Sequence, residues 1–482
     1  MTDTVVTLPD GFRFGVATAG FQIEGGFNGR GEPANNWAAW EWCGRVEPSG
    51  LALDFWHRYE DHLDRAAAAG CDAFRLSVEW ARVEPAEGEV DEAAVDRYRA
   101  ILDACHQRGL LPLVSLHHFT HPAWLGEELW LQTDSPERFA HWAALVVDRL
   151  GDRCRHWVTI NEINVLAVSS YLIGAFPPGR IGAIGATVRS LDFLLAAHVL
   201  AYDAIHARRP DASVSTNSYC LSIYELDRLL IDALLGRSHG VHRRDLRPWL
   251  LERRARTYEA LGPVGRREEA MRSLAATTIP LDQALPRAVA AVYASPHDCT
   301  LDQTQIDWYD PAAAGHVRLP GHATAGGRWW QPGKPLWDDD VDPRGLITYA
   351  GLNCEPGLPL WIVENGLCNR VRRGVSYPRR DGWDRVRYLR ANLAAVLDAI
   401  DAGHPIGAYF HWTLADNYEW GSYEPRFGLY GVDRDRGLRW TGTDAMGGDA
   451  AGTYRQIIEG LRAGDRSVVP AVSPAVSPAA SP

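Results

Sequence analysis

Two glutamates stand at the ends of apolar runs, where a buried strand would meet a turn. Glu162 closes the segment "WVTINE", and Glu364 follows "PLWIV" and precedes Asn-Gly. A carboxyl group is costly to bury unless it has partners or a chemical use. Two carboxylic acids facing each other across a sugar-sized pocket are what cleavage of a glycosidic bond requires. One protonates the departing oxygen, and the other attacks the anomeric carbon or activates water.

The two glutamates have different neighbours. Arg75 and Tyr309 stand near the ends of other predicted strands, where a cation and a hydroxyl could keep Glu364 ionised. Glu162 has only the neutral Asn161 beside it and is therefore the better candidate for a raised pKa. Such a difference assigns the roles of acid and nucleophile.

The composition excludes several other classes of protein. A formal charge of −12 and a pI near 5.8 argue against nucleic acid as a partner. Lys334 is the only lysine, which leaves little for Schiff-base chemistry. The eight cysteines form no C-x-x-C pair and no spacing that suits zinc. We therefore expect no metal and no cofactor, and a small molecule as the partner.

The ends of the chain lead to an expectation about its location. The segment "MTDTVVTLPDGF" has no basic region followed by an apolar one, and we find no run long enough to span a bilayer. We expect a cytoplasmic protein without a membrane partner, and the sequence does not predict its oligomeric state. The composition predicts one domain over residues 1–465 and a disordered Pro/Ala/Ser-rich tail over 466–482.

A strand–helix rhythm runs through the chain. Helical periodicity occurs over 95–109, 135–151 and 385–403, and eight apolar segments between helices read as strands. The predicted strands are 12–22, 73–80, 111–118, 157–162, 213–219, 304–309, 359–365 and 407–414. No glycine-rich nucleotide turn follows the first strand, which disfavours a doubly wound sheet. The pattern predicts the α/β class and a single (β/α)8 TIM barrel.

In such a barrel, polar residues at the carboxyl ends of the strands would surround one mouth, where barrel enzymes place their active sites. The residues at these predicted ends are Gln22, Arg75, His118, Asn161, Glu162, Tyr309, Glu364 and Trp412. Two long βα-loop insertions, about 225–303 and 310–358, should form part of the wall above that mouth.

Six segments resemble the successive signatures of glycoside hydrolase family 1, the β-glucosidase-like barrels. They are "FRFGVATAGFQIEG", "FRLSVEWARVEPAEG", "SLHHFTHPAWL", "WVTINE", "WIVENG" and "HWTLADNYEWGSYEPRFGLYGVD", and they follow the family's order. The resemblance implies a retaining β-glycosidase with Glu162 as acid/base and Glu364 as nucleophile, the carboxyls lying about 5–5.5 Å apart. It implies that Arg75 and Tyr309 support the nucleophile and that Asn161 binds the sugar 2-hydroxyl. The glycone-binding positions it implies are Gln22, His118, Trp412, Glu419 and Trp420.

Glu419 also bears on the substrate. Family members specific for 6-phosphosugars have serine there and a nearby lysine, so the resemblance implies a non-phosphorylated glycone that a carboxylate does not repel. Trp329, Trp330 and Trp337 are candidates to stack on the aglycone, and packing within loops is the alternative.

Asp307 departs from the family pattern, which usually has asparagine there. We expect its charge to compete for Arg75 and to raise the pKa of Glu364. This departure and the weakly matching 225–303 insertion leave a second hypothesis open, a family member repurposed for elimination, transglycosylation or deglycosylation of a natural product. A catalytically silent sugar-binding protein is the third, and the two intact glutamates argue against it.

Overall fold

Nine parallel strand segments form the central sheet of the computed structural model, which describes residues 7–279, 285–309 and 335–469. The segments are β1 (Arg13–Ala17), β2 (Ala73–Ser77), β3 (Leu111–His117), β4 (His156–Ile160), β5 (Ser213–Ser215), β6 (Asn217–Tyr219), β7 (Thr304–Trp308), β8 (Leu360–Asn365) and β11 (Ile406–Trp412). Strand β1 pairs in parallel with both β2 and β11, so the first and last strands of the sheet adjoin.

The barrel closes through the fifth predicted strand. Segment β5 pairs with β4 and segment β6 pairs with β7, and Thr216 alone separates them. The hydroxyl of Thr216 donates a hydrogen bond to the carbonyl oxygen of Ile160 on β4 (2.7 Å). The predicted (β/α)8 barrel is confirmed, and the single strand predicted over 213–219 is two segments because each half pairs with a different neighbour.

The helices surround this barrel, and their apolar faces cover the sheet because parallel strands are buried on both sides. In chain order the described helices are α1 (Gly20–Ile23), α2 (Ala38–Trp42), α3 (Phe55–Ala68), α4 (Trp80–Val83), α5 (Glu92–Gln107), α6 (Ser135–Leu150), α7 (Ile163–Ala167), α8 (Ile184–His206), α9 (Arg228–Leu235), α10 (Leu246–Leu261), α11 (Arg266–Thr278), α12 (Pro286–Ala294), α13 (Pro343–Asn353), α14 (Arg385–Asp401) and α15 (Ala450–Arg462). Helix α5 begins where Asp91 accepts hydrogen bonds from two backbone amides, as N-cap residues do.

Helix α8 corrects the expectation that no run is long enough to cross a bilayer. Its 23 residues are, by length and composition, the one span in the described residues that could do so. In the fold 67% of its most apolar window is buried, since α8 packs between the barrel and helices α6 and α12. Burial on several faces accounts for its apolar composition.

The two long connections differ in how far the structure describes them. The 225–303 insertion contains α9 to α12. Of the 310–358 connection, residues 310–334 lie outside the described residues, and with them Trp329, Trp330 and Lys334. At the chain end, Arg466–Val468 form a 3₁₀ helix that packs against α15, and Val469 is buried, so the described part of the predicted tail is ordered on the fold.

The described residues also form smaller antiparallel sheets that are separate from the central one. Strand β9 (Asn369–Arg372) pairs with β10 (Val375–Tyr377) and with β12 (Pro425–Arg426), and β13 (Val432–Asp433) pairs with β14 (Arg439–Trp440). Residues 368–380, which follow Glu364, carry five arginines and form an arginine-rich stretch that begins with the β9–β10 hairpin. Pairing of β9 with β12 joins this stretch to the segment that follows Glu419.

Trp142 on α6 offers a direct test of this packing. Its ring is fully buried and stacks on Trp80 (5.3 Å, 5° between planes), and its indole N–H donates to the carbonyl of Leu116 (2.9 Å). We expect Trp142→Ala to lower the free energy of unfolding by about 3–5 kcal/mol. Trp142→Phe should cost less because a ring remains. Equal midpoints for the two variants in thermal unfolding monitored by circular dichroism would contradict this packing.

Candidate active site

The barrel brings Glu162 and Glu364 together at its mouth. Glu364 is the fifth residue of β8, and Glu162 lies between β4 and α7 with a left-handed backbone (φ 40°, ψ 64°). Together with Asp307 on β7 they form a cluster in which one oxygen of each carboxyl lies within 4.8 Å of the others. All three side chains are buried.

Arg75 and Tyr309 hold both oxygens of Glu364. Arg75 Nη1 donates to Oε1 of Glu364 (2.6 Å), and the Tyr309 hydroxyl donates to Oε2 (2.8 Å). Burial raises the pKa of Glu364, and these two donors oppose the increase because they stabilise the carboxylate. Glu364 is therefore the carboxyl of the cluster that is best stabilised as an anion.

Glu162 has the opposite environment. Burial raises its pKa well above the ordinary value, and the neighbouring Glu364 raises it further. Its backbone N–H donates to Asn217 Oδ1 (3.4 Å), and its carboxyl is hydrogen-bonded to Asp307. No cation pairs with it within the described ranges. Glu162 is thus suited to carry a proton while Glu364 is ionised.

Asn161 links the two halves of the site. Its side-chain oxygen accepts hydrogen bonds from Arg75 Nη2 and from Asn217 Nδ2 (2.9 Å), and its Nδ2 lies 3.2 Å from His118 Nε2. Burial lowers the pKa of His118 well below its usual range, and the nearby charge of Arg75 lowers it further. The ring of His118 is therefore neutral. The network fixes the amide of Asn161 between the cation and the sugar-binding side.

Asp307 does not take Arg75 from Glu364. The guanidinium of Arg75 donates to Glu364, Asn161, the Ser115 hydroxyl and the Val363 carbonyl, whereas Asp307 accepts from Asn217 and is hydrogen-bonded to Glu162. Burial is the first cause of its strongly raised pKa, followed by Glu364 and Glu162. The expectation that Asp307 competes with Glu364 for Arg75 is therefore wrong, because the two carboxyls have different donors.

A second set of side chains lies around Glu419. Its Oε2 accepts a hydrogen bond from Gln22 Nε2 (3.0 Å) and its Oε1 accepts one from the Trp412 indole (3.2 Å). Burial raises the pKa of Glu419 to about 8, so this carboxyl is mostly protonated at neutral pH. The described residues show no ion pair to it. A protonated carboxyl both donates and accepts hydrogen bonds, as sugar hydroxyls do.

Aromatic rings form the third side of the pocket. His118 stacks on Trp412 (5.8 Å, 19°) and on Trp420 (5.7 Å, 12°). Trp337 packs against the apolar group that contains Trp412, and Arg370 lies over its ring (4.6 Å). These rings offer flat apolar faces next to hydrogen-bonding groups, which is how protein sites hold sugar rings.

The cluster of three carboxyls also has a spacing that could hold a metal ion. Arg75 already supplies a positive charge to Glu364 at 2.6 Å, and the Glu162–Asp307 hydrogen bond needs a proton between its oxygens. The donor set therefore fits proton chemistry better than cation binding.

Some positions differ from the sequence expectation. Gln22 lies on α1 and not at the end of a strand, since β1 ends at Ala17, and Arg75 is the third residue of β2 and reaches the mouth through its long side chain. Asn217, which contacts three members of the site, was missed by sequence reasoning. Its only signal was an amide within a predicted strand.

The arginines after Glu364 have partners within the chain. Arg370 and Arg372 form ion pairs with Glu424 (both 3.0 Å), and Arg379 pairs with Asp381. Glu424 is thereby held at the β9–β12 sheet. This arrangement accounts for part of the arginine-rich stretch without any acidic ligand.

The chain is similar to known glycosidases over most of its length. The model of "Glycosyl hydrolase family 1" matches residues 4–228 and 342–444. Thermostable beta-glucosidase B of Thermobispora bispora is 32% identical, over 95% of this chain and 93% of its own. The 6-phospho-beta-galactosidase 1 of Streptococcus pneumoniae (strain ATCC BAA-255 / R6) is 27% identical, over 92% and 97%.

The fold is also that of a solved structure. The family 1 β-glucosidase from Thermotoga maritima superposes with a TM-score of 0.71 at 22% identity, covering 95% of this chain and 99% of that one. The family match omits residues 229–341, which include nearly all of α9, helices α10 to α12, strand β7 with Asp307, and Tyr309 directly after it. Over the rest of the barrel it includes both glutamates, and the chain belongs to glycosyl hydrolase family 1 and is a glycoside hydrolase.

Proposed function

We propose that this protein is a retaining exo-β-glycosidase, similar to the β-glucosidases, that hydrolyses a small non-phosphorylated β-glycoside through a covalent glycosyl-enzyme. One observation carries the proposal: two buried carboxyls lie together at the barrel mouth, and among the described residues only Glu364 has both a cation and a hydroxyl bonded to it. Their oxygens lie within 4.8 Å, close to the separation of about 5–5.5 Å that accompanies retention.

In the first step Glu364 attacks the anomeric carbon while Glu162 gives its proton to the departing oxygen. The attack needs an ionised Glu364, which Arg75 and Tyr309 stabilise. Proton donation needs a carboxyl whose pKa is raised, which burial of Glu162 supplies. The Asn161 amide, fixed by Arg75 and Asn217, is in place to bind the 2-hydroxyl.

In the second step Glu162 acts as the base. It takes a proton from water, the water oxygen bonds to the anomeric carbon, and Glu364 leaves as a carboxylate. The same residue serves as acid and then as base because loss of its proton in the first step leaves it ionised. Arg75 again stabilises the departing Glu364.

Specificity for a non-phosphorylated glycone does not depend mainly on repulsion between a phosphate and the Glu419 carboxylate. Because Glu419 is mostly protonated at neutral pH, charge repulsion is not the main barrier to a phosphate. Among the described residues, the groups bonded to Glu419 are the neutral donors Gln22 and Trp412, and no cation is bonded to it. A phosphate dianion without a cation is costly to bury there. The relatives include proteins named 6-phospho-beta-galactosidase, for a phosphorylated sugar, and proteins named beta-glucosidase.

The aglycone side supports a second candidate, deglycosylation or transfer on a natural product by the same glutamates. The family model does not match residues 229–341, so membership of the family says least about the wall of the site there. Trp337 packs at the edge of the pocket, where it can stack on an aromatic leaving group. Turnover of simple aryl β-glycosides distinguishes hydrolysis of ordinary glycosides from a requirement for a larger aglycone.

Covalent trapping tests the nucleophile. Incubation with a 2-deoxy-2-fluoro-glucosyl reagent should add one sugar to Glu364, detected by intact mass and peptide mapping. Glu364→Ala should lose the adduct and lower kcat about 10⁴-fold or more. Glu162→Ala should still form the adduct from a reagent with a good leaving group, and azide should restore its turnover. An adduct on any other residue would contradict the assignment.

The substrate proposal is tested with a pair of substrates. At neutral pH, kcat/KM for 4-nitrophenyl β-glucoside should exceed that for its 6-phosphate by about 100-fold or more, because no described cation neutralises the phosphate. The galactoside and fucoside are run beside them to define the sugar. Preference for the 6-phosphate would overturn this part of the proposal.

Tyr309→Phe tests how Glu364 is kept ionised. Loss of a hydrogen bond to a charged group should lower kcat about 10- to 100-fold. Since that bond lowers the pKa of Glu364, its removal should move the acidic limb of kcat/KM to higher pH. Tyr219→Phe is the matched control. Tyr219 stacks on Tyr309 (5.8 Å, 13°), but the hydrogen bond to Oε2 of Glu364 comes from Tyr309. An acidic limb that stays in place in Tyr309→Phe would count against this role.

A further inference from the structure

Asp307 is a third carboxyl in a site whose chemistry uses two. It lies on β7, its side chain has no exposure to solvent, and its backbone is in register with Glu364 on β8. One of its oxygens accepts a hydrogen bond from Asn217 Nδ2, and its carboxyl is hydrogen-bonded to Glu162. The same Asn217 accepts from the backbone N–H of Glu162, so it holds both carboxyls in register.

Two buried carboxyls in direct contact require a proton between them. Two carboxylates accept hydrogen bonds and cannot donate one, and like charges at this distance are not both ionised. The titratable groups that face Asp307 are Glu162, Glu364, Arg75, Tyr309 and Cys220. Arg75 is bonded to Glu364 and Asn161, so no described cation is bonded to Asp307.

We propose that Asp307 is a positioning residue that shares one proton with Glu162, so that the acid/base of this enzyme is a pair of carboxyls. The inference rests on the proposed retaining function and specifies how its proton is held. Asn217 aligns the pair, and Glu162 remains the member next to the anomeric carbon.

The shared proton fits both chemical steps. In the first, the pair transfers its proton through Glu162 to the leaving oxygen, as the bond from the anomeric carbon to that oxygen breaks and the bond to Glu364 forms. Glu364 gives up its negative charge in that bond, so the deprotonated pair faces a neutral ester and Arg75. In the second step the pair takes one proton from water, and Glu364 leaves with its electron pair as a carboxylate.

The pair should hold its last proton to higher pH than a lone Glu162 would. Removing that proton adds a second carboxylate next to an existing one and beside ionised Glu364, whereas with asparagine at 307 the ionising Glu162 has only Glu364 as a charged carboxylate neighbour. Glu364 keeps its own donors, Arg75 and Tyr309, in such a variant. Replacement of Asp307 should therefore move the basic limb of the pH profile to lower pH, and removing a neighbouring carboxyl should not move the acidic limb to higher pH.

The test is the pH dependence of kcat/KM for Asp307→Asn, which keeps the size of the side chain and an oxygen for Asn217. We expect its basic limb to lie about one pH unit or more below that of the wild type, with the acidic limb in place or at lower pH. Asp192→Asn makes the same change in a buried aspartate that binds two backbone amides at the start of α12, and its profile should match the wild type.

A direct readout does not depend on turnover. In infrared titrations, the carboxylic-acid C=O band that persists to the highest pH should disappear at lower pH in both Asp307→Asn and Glu162→Gln. A basic limb and band unchanged in Asp307→Asn, with an active wild type that is trapped on Glu364, would overturn the shared proton alone. Absence of trapping in the wild type would instead overturn the proposed function, while the infrared result still decides whether the proton is shared.

Discussion

The buried ion pair between Arg75 and Glu364, 2.6 Å long, is the interaction on which the rest of the site depends. Removing both charges from water is expensive, and their attraction offsets that cost only if the remaining hydrogen bonds are made. Arg75 makes them with Asn161, Ser115 and the Val363 carbonyl. The cation that stabilises the anionic carboxyl therefore also fixes the amide that lies beside the second carboxyl.

The barrel turns this pair into a site with two different acids. Parallel strands end at one face, so β4, β7 and β8 bring the carboxyls of Glu162, Asp307 and Glu364 within 4.8 Å although these residues are far apart in the chain. In the part of the chain that the structure describes, one guanidinium serves the three. Its position on β2 favours ionisation of Glu364, and the other two carboxyls, without a described cation of their own, are left to share a proton. Unequal access to one charge thus separates nucleophile from acid.

The sequence predicted the parts of the fold that follow from periodicity and strand ends. Glu162 and Glu364 were located because a carboxyl after an apolar run conflicts with burial, and the closed barrel followed from eight strand–helix units. The break at Thr216 was missed because it depends on which neighbour each half-strand pairs with. Asn217 and the protonated Glu419 were missed because hydrogen-bond geometry and desolvation are properties of the packed site, which a linear pattern does not contain.

The central claim is that ionised Glu364 attacks the anomeric carbon. The most direct test follows by proton NMR which anomer of glucose appears first when wild-type enzyme cleaves an aryl β-glucoside, before mutarotation mixes the two. Attack by Glu364 followed by water gives two inversions, so the account predicts that the β anomer appears first. Initial release of the α anomer would mean a single displacement by water and would contradict the account.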